Sequence, residues 1–120
     1  MSDISLQELK QQLKAFAEER DWEQYHSPKN LAMALIVEAA ELVEHFQWLP
    51  QSESESLPPE KHQEVAFEMA DILIYLLRLA ERLDIDLLDA VQQKMKINAD
   101  KYPADKVRGS YKKYTEYKTK

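Results

Sequence analysis

The apolar positions of this chain fall at helical intervals almost from end to end. Leu6, Leu9, Leu13, Phe16 and Ala17 share one face of a helix predicted from about Leu6 to Arg20, opened by Ser5 and Glu8 in a capping-box pattern. The aromatic stretch DWEQYHS then reads as a short loop. Ser27 and Pro28 form an N-cap and first helical residue for a second helix, continuing to about Trp48. A polar, proline-bounded segment, LPQSESESLPP, separates it from a third, running from near Pro59 to about Leu83. A tight DID junction follows. Asp86 is a plausible N-cap for a fourth helix, about Leu87 to Lys101, and Pro103 stops it. No internal repeat of fixed period is present. Four helices with short connections predict an all-α four-helix bundle over residues 1–103. Residues 104–120 form a polar tail, with Tyr111, Tyr114 and Tyr117 at intervals of three.

Two helical stretches are apolar nearly all round. LAMALIVEAAELV, residues 31–43, carries Glu38 and Glu41 as its only charges; VAFEMADILIYLL, residues 65–77, carries Glu68 and Asp71. Helices of this kind sit centrally and are covered on several sides. In each, the two acids are three residues apart and share a face. Four ionised carboxylates in dry surroundings cost several kcal/mol apiece unless partnered, and His45 and Arg78 lie at or beyond the ends of these runs. Two remedies exist. The carboxyls can hold protons, with raised pKa values, or they can share a cation. Two such pairs on facing helices make an all-oxygen cage suited to the hard ions Mg²⁺ or Mn²⁺, and magnesium favours sites shared with substrate phosphates. Glu64 lies one turn before Glu68, and Glu44 close after Glu41. Each is either a solvated surface acid or a support, base or further ligand for such a site.

Composition narrows the classes. The chain has one glycine and no cysteine, which disfavours a turn-rich sheet protein and excludes disulfides and thiolate metal sites. Its net charge of −6 hides an asymmetry. KVRGSYKKYTEYKTK, residues 106–120, holds six basic side chains against one acid, so the body is more acidic than the total suggests. An acidic body is a poor binder of nucleic-acid polymers. MSDISLQELK lacks the basic start and apolar centre of a signal peptide, and no apolar run reaches the roughly 18 residues of a membrane span. The expected address is the cytoplasm, with no membrane partner.

The ordered set ExxE and ExxD, with ERDWEQYHSPKNLAMALIVEAAELVEHFQW, EMADILIYLLRLAERLDIDL, AVQQKMKINADKYP and RGSYKKYTEY, resembles the all-α nucleoside triphosphate pyrophosphohydrolases of the MazG-like superfamily, and within it the dCTP pyrophosphatase branch. The likeness covers about residues 15–117. It implies hydrolysis of a nucleoside triphosphate between its α and β phosphates, with dCTP or a modified pyrimidine deoxynucleotide favoured. It also implies Mg²⁺ held by Glu38, Glu41, Glu68 and Asp71. Glu41 is the candidate general base. Lys94 and Asn98, one turn apart on the fourth helix, and Tyr102 beyond them are candidate nucleotide contacts, a cation and an amide suiting phosphate and sugar oxygens. Trp22 and Trp48 flank the second helix as candidate platforms for the base, and Tyr75, one turn after Asp71, is a candidate hydrogen-bond partner of ligand or acid. One departure stands out. Animal members resemble one another in a histidine on the first helix near the base, whereas residues 5–20 here contain none and His26 lies in the following loop.

Rival readings are a di-iron carboxylate bundle and a helical interaction module without enzymatic activity. The former would want ExxH on two helices, and neither acidic run has one. The exposed remainder of two all-round apolar helices further predicts self-association, at least as a dimer, with the family likeness implying a dimer of dimers.

Overall fold

The computed structural model describes residues 3–117. They form six α-helices and no strand: α1 Leu6–Glu19, α2 Pro28–Glu44, α3 Gln51–Ser54, α4 Pro59–Arg82, α5 Leu87–Lys101 and α6 Ala104–Val107. Single 3₁₀ turns occupy Glu23–Tyr25 and Tyr114–Tyr117. The four long helices are those the apolar spacing predicts. Packing divides the chain into two units, Met1–Ile85 and Asp86–Lys120. No helix among the described residues is long and apolar enough to cross a membrane.

The ends of the helices follow from local chemistry. Ser5 Oγ accepts from the Glu8 amide at 3.0 Å, Ser27 Oγ from the Asn30 amide at 3.2 Å, and Asp86 Oδ1 from the Asp89 amide at 3.0 Å. Each satisfies an amide that the helix leaves without a carbonyl partner. α4 has no capping side chain. It begins with Pro59, whose ring supplies the helical φ and which has no N–H to satisfy. α2 stops short of the predicted Trp48. From His45 onward its amides reach back three residues instead of four, His45 to the Leu42 carbonyl and Phe46 to the Val43 carbonyl. The tightened turn leads into Pro50, which cannot extend a helix.

α1 and α4 end alike. Asp21 and Asp84 sit in the left-handed region, at φ 56° and 55°. The amide after each reaches back across the whole turn, Trp22 to the Ala17 carbonyl at 2.9 Å and Ile85 to the Ala80 carbonyl at 2.8 Å. These are Schellman closures made with aspartate where glycine is usual.

In the first unit α2 packs along α4, and α1 lies against the same helix. The fully buried apolar side chains among the described residues are Ala17 of α1, Leu31 of α2, and Val65, Leu77 and Ala80 of α4. That core is small for the apolar content. Met33, Ile36, Val37 and Val43 on α2 and Phe67, Met69, Leu73 and Leu76 on α4 remain exposed, Ile36 by 63% and Phe67 by 64%. One charged side chain, Arg78, is 2% exposed in the middle of α4.

The second unit holds α5, which exposes Leu88, Val91, Met95 and Ile97. Beyond it the Tyr102 and Tyr114 rings meet edge to face at 6.3 Å, and the Lys101 ammonium lies 4.8 Å from the Tyr114 ring centre. The chain turns at Gly109, at φ 78°. Residues 118–120 of the basic tail lie outside the described residues.

Candidate active site

Helical spacing places Glu38 and Glu41 one turn apart on α2 and Glu68 on α4 against them. Carboxylate oxygens from these three lie within 4.8 Å of one another. The Oε2 atoms of Glu38 and Glu68 are buried and meet no hydrogen-bond partner. An unpartnered acceptor is costly in a protein interior, and two in one cluster are a donor set awaiting a cation or a proton. Burial first, then the hydrogen bond and charge of Glu41, the charge of Asp71 and a hydrogen bond with Glu68, push the Glu38 carboxyl up to about 7. Asp71 falls outside the tight trio, yet its charge is felt by both Glu38 and Tyr75. Burial, then the charges of Glu38, Asp71 and Glu41, push the Tyr75 phenol up, so it keeps its proton and remains a donor.

The cluster has a cationic margin. His45 lies 3.7 Å from Glu68 and 3.8 Å from Glu64, and Lys61 is 3.4 Å from Glu64. Glu64 is thus engaged with basic groups, while Glu44 is exposed and has no ion pair among the described residues.

Beside the acids is a cavity of about 250 Å³. Asp71 and Tyr75 line it, with Ile74 and Arg78 from the same helix, Leu13, Phe16 and Ala17 from α1, and Trp22 and His26 from the turn that follows. Trp22 therefore stands in a pocket wall, edge-on to Phe16 with ring centres 5.8 Å apart. Trp48 is 86% exposed and lines no cavity found here among the described residues. In the second unit Lys94 and Asn98 are exposed on α5, and Tyr102 is half-buried beside Tyr114.

Sequence spacing does not reveal the ion-pair cluster behind the cavity. Arg78 Nη2 donates to Glu23, Arg78 Nη1 to Glu81 at 3.2 Å, and Arg78 Nε to His26 Nδ1 at 3.4 Å. Arg82 joins Glu23 from outside at 3.0 Å, and Lys14 of α1 reaches Glu81 at 3.4 Å. The available signal was the isolated arginine in ILIYLLRLA, a charge in a run that buries everything around it.

Comparison with known proteins agrees with this arrangement. Residues 33–117 match the model of the MazG-like family. The chain is 44% identical over 114 residues to dCTP pyrophosphatase 1 of Homo sapiens, covering 93% of this chain and 67% of that protein. It is 44% identical over 117 residues to dCTP pyrophosphatase 1 of Bos taurus, covering 96% and 69%. Its fold resembles a crystal structure of a pyrophosphatase from Archaeoglobus fulgidus with a TM-score of 0.79 at 40% identity, covering 86% of this chain and 96% of that one. With its all-α architecture and paired carboxylates on adjacent helices, the chain belongs to the MazG-like family.

Proposed function

We propose that this protein is a metal-dependent nucleoside triphosphate pyrophosphohydrolase that cleaves between the α and β phosphates, releasing a monophosphate and pyrophosphate. The favoured substrates are dCTP or a modified pyrimidine deoxynucleotide, and the role is house-cleaning of the nucleotide pool. The observation carrying this reading is the trio Glu38, Glu41 and Glu68, with two buried unpartnered oxygens, beside an aromatic cavity that Asp71 and Tyr75 also line. The relatives named above support the reaction class.

The donor set fits a hard divalent cation, for every available ligand atom is oxygen. Glu38, Glu41, Glu68 and Asp71 would hold Mg²⁺, or Mn²⁺ in its place. Such an ion supplies the positive charge that draws in and neutralises phosphate oxygens. Glu41 is the exposed carboxylate of the trio, so it can orient a water and accept its proton. Tyr75 can donate a hydrogen bond to an acid or to the ligand. Trp22 and Phe16 offer faces and edges to a base. Lys94, Asn98, Tyr102 and Trp48 are carried forward as substrate contacts, with a catalytic domain over residues 1–103 and a basic tail over 104–120. The exposed apolar faces of α2 and α4 support a homo-oligomer, a dimer or a dimer of dimers.

A screen of nucleoside triphosphates with Mg²⁺, read by pyrophosphate release, tests the activity. In ¹⁸O-water the label should enter the monophosphate or the pyrophosphate. Orthophosphate as the primary product would mean a different bond is cut and would overturn the reading.

A further inference from the structure

Arg78 is a cation with almost no access to water, and its three observed partners account for its place. Glu23 and Glu81 balance its charge, and the third partner is a neutral ring nitrogen, His26 Nδ1, 3.4 Å from Arg78 Nε. A guanidinium has no acceptor to offer. In this contact Nδ1 therefore accepts and carries no hydrogen, and the hydrogen of the neutral imidazole sits on Nε2. Full protonation would set an N–H on Nδ1 against the Arg78 donor. The local electrostatics agree: burial first, then Arg78, hold the His26 imidazole below its ordinary value, with Arg82 adding to this and Glu23 opposing it.

The same contacts fix where this ring is. Glu23 is held by both Arg78 and Arg82, so the turn Glu23–Tyr25 is tied to α4. His26 closes that turn, its amide bonding the Trp22 carbonyl at 3.1 Å, and its ring centre lies 6.1 Å from that of Trp22. Both rings line the cavity beside Asp71 and Tyr75. At about 250 Å³ the cavity is smaller than the roughly 300–1,000 Å³ usual for a whole small-molecule ligand. It suits one ring system, with the rest of the molecule outside. Of its polar groups, Arg78 is engaged with three partners and Asp71 offers only acceptors when ionised, whereas His26 presents a donor whose tautomer a partner has set.

We infer that His26, held by Arg78 with its hydrogen on Nε2, is the donor with which the cavity reads a carbonyl oxygen of a single-ring base. His26 is a specificity residue, and Arg78 is a positioning residue acting through it. The inference rests on the nucleotide reading above, and it can be tested without turnover.

The probe is deoxycytidine, a nucleoside with no phosphate, titrated calorimetrically into the full chain in metal-free buffer. Wild type should bind it. His26→Phe, which keeps a planar ring and loses the donor, should bind about tenfold more weakly, the factor one lost hydrogen bond is worth. His26→Gln, which restores an N–H, should recover most of the loss. In ¹⁵N-histidine-labelled protein at pH 7, His26 should show a protonated Nε2 and an unprotonated Nδ1. Arg78→Lys should mix the two tautomers and weaken binding; if that variant fails to fold, Glu23→Gln loosens the same clamp from its exposed side. Equal affinity in wild type and His26→Phe, no binding to wild type, or a hydrogen on Nδ1 would each overturn the inference. Binding by these rules without any pyrophosphate release would uphold it and sink the catalytic reading instead.

Discussion

Glu38 and Glu68, on the two helices that pack most closely, each bury an Oε2 atom with no hydrogen-bond partner inside the same carboxylate cluster. In the absence of a cation the cluster is a source of repulsion, and a divalent ion would turn it into a cross-link between α2 and α4. Millimolar Mg²⁺ should therefore raise the melting temperature, and a chelator should reverse the rise. Glu38→Gln or Asp71→Asn should abolish the Mg²⁺-dependent gain and cut turnover by about 100-fold or more while the fold persists. Wild-type turnover in Asp71→Asn would remove Asp71 from the site.

The proton competes for the same place. The Glu38 carboxyl has an ordinary value of 4.5 and is pushed up to about 7 when folded. The folded state therefore binds the extra proton between these values, and stability falls as pH rises through that interval. The metal-free protein should unfold at a higher denaturant concentration at pH 4.5 than at pH 7.5, as far as Glu38 governs the difference. Glu38→Gln should flatten the dependence. Affinity for Mg²⁺ should move oppositely, weakening as pH drops below about 7. A metal-free profile unchanged by Glu38→Gln would show that this carboxyl does not carry the shift.

Removing the buried cation should be costly. Arg78→Met leaves Glu23 and Glu81 facing an apolar chain, and breaking a buried pair from one side typically costs about 3–5 kcal/mol. Arg82 and Lys14 still serve those two acids from outside, which places the expected loss near the lower end. Urea denaturation of the two proteins gives the difference directly. A loss below about 1 kcal/mol would mean that Arg78 is replaceable by volume alone.

The aspartate closing α4 offers the opposite change. An L-residue in the left-handed region is strained by about 1–2 kcal/mol, less for aspartate, which tolerates it better than most. Asp84→Gly should relieve part of that strain and, after the added freedom of the unfolded chain, gain a few tenths to about 1 kcal/mol. A rise in melting temperature is the expected readout. Asp84→Val should do the reverse.

Self-association should depend on the faces left open in the first unit. Light scattering at micromolar concentration should give a species larger than a monomer, and Ile36→Glu or Phe67→Glu should shift it downward, since each sets a charge within an exposed apolar face. A monomer for the unaltered chain would refute the association.

The long helices were legible because their evidence is local. Apolar spacing marks their faces, and Ser5, Ser27 and Asp86 each cap the helix their position announces. The one-turn helix Gln51–Ser54 was not, because a single turn has no periodicity to detect. The carboxylate pairs were legible for a related reason: a three-residue spacing fixes a shared helix face, and an apolar run makes its charges conspicuous. Their meeting across α2 and α4 needed the fold. The contacts of Arg78 with Glu23 and His26 span 55 and 52 positions, and nothing local to any of the three residues specifies the others. The tryptophans divide on the same ground. Both flank α2 in sequence, yet Trp22 is brought against α1 and α4 in a pocket wall, and Trp48 projects from the turn before Pro50.

Asp21 does for α1 what Asp84 does for α4, but its next residue is Trp22. The strained peptide that ends the helix is also the one that aims the aromatic wall of the cavity. A glycine there would relax the backbone and make the chain more durable, yet it would let the tryptophan and the clamped turn behind it wander before a ligand arrives. Durability and discrimination therefore pull in opposite directions at this single position. A chain with one glycine in all, placed at position 109, has kept a tense hinge where a loose one would be safer.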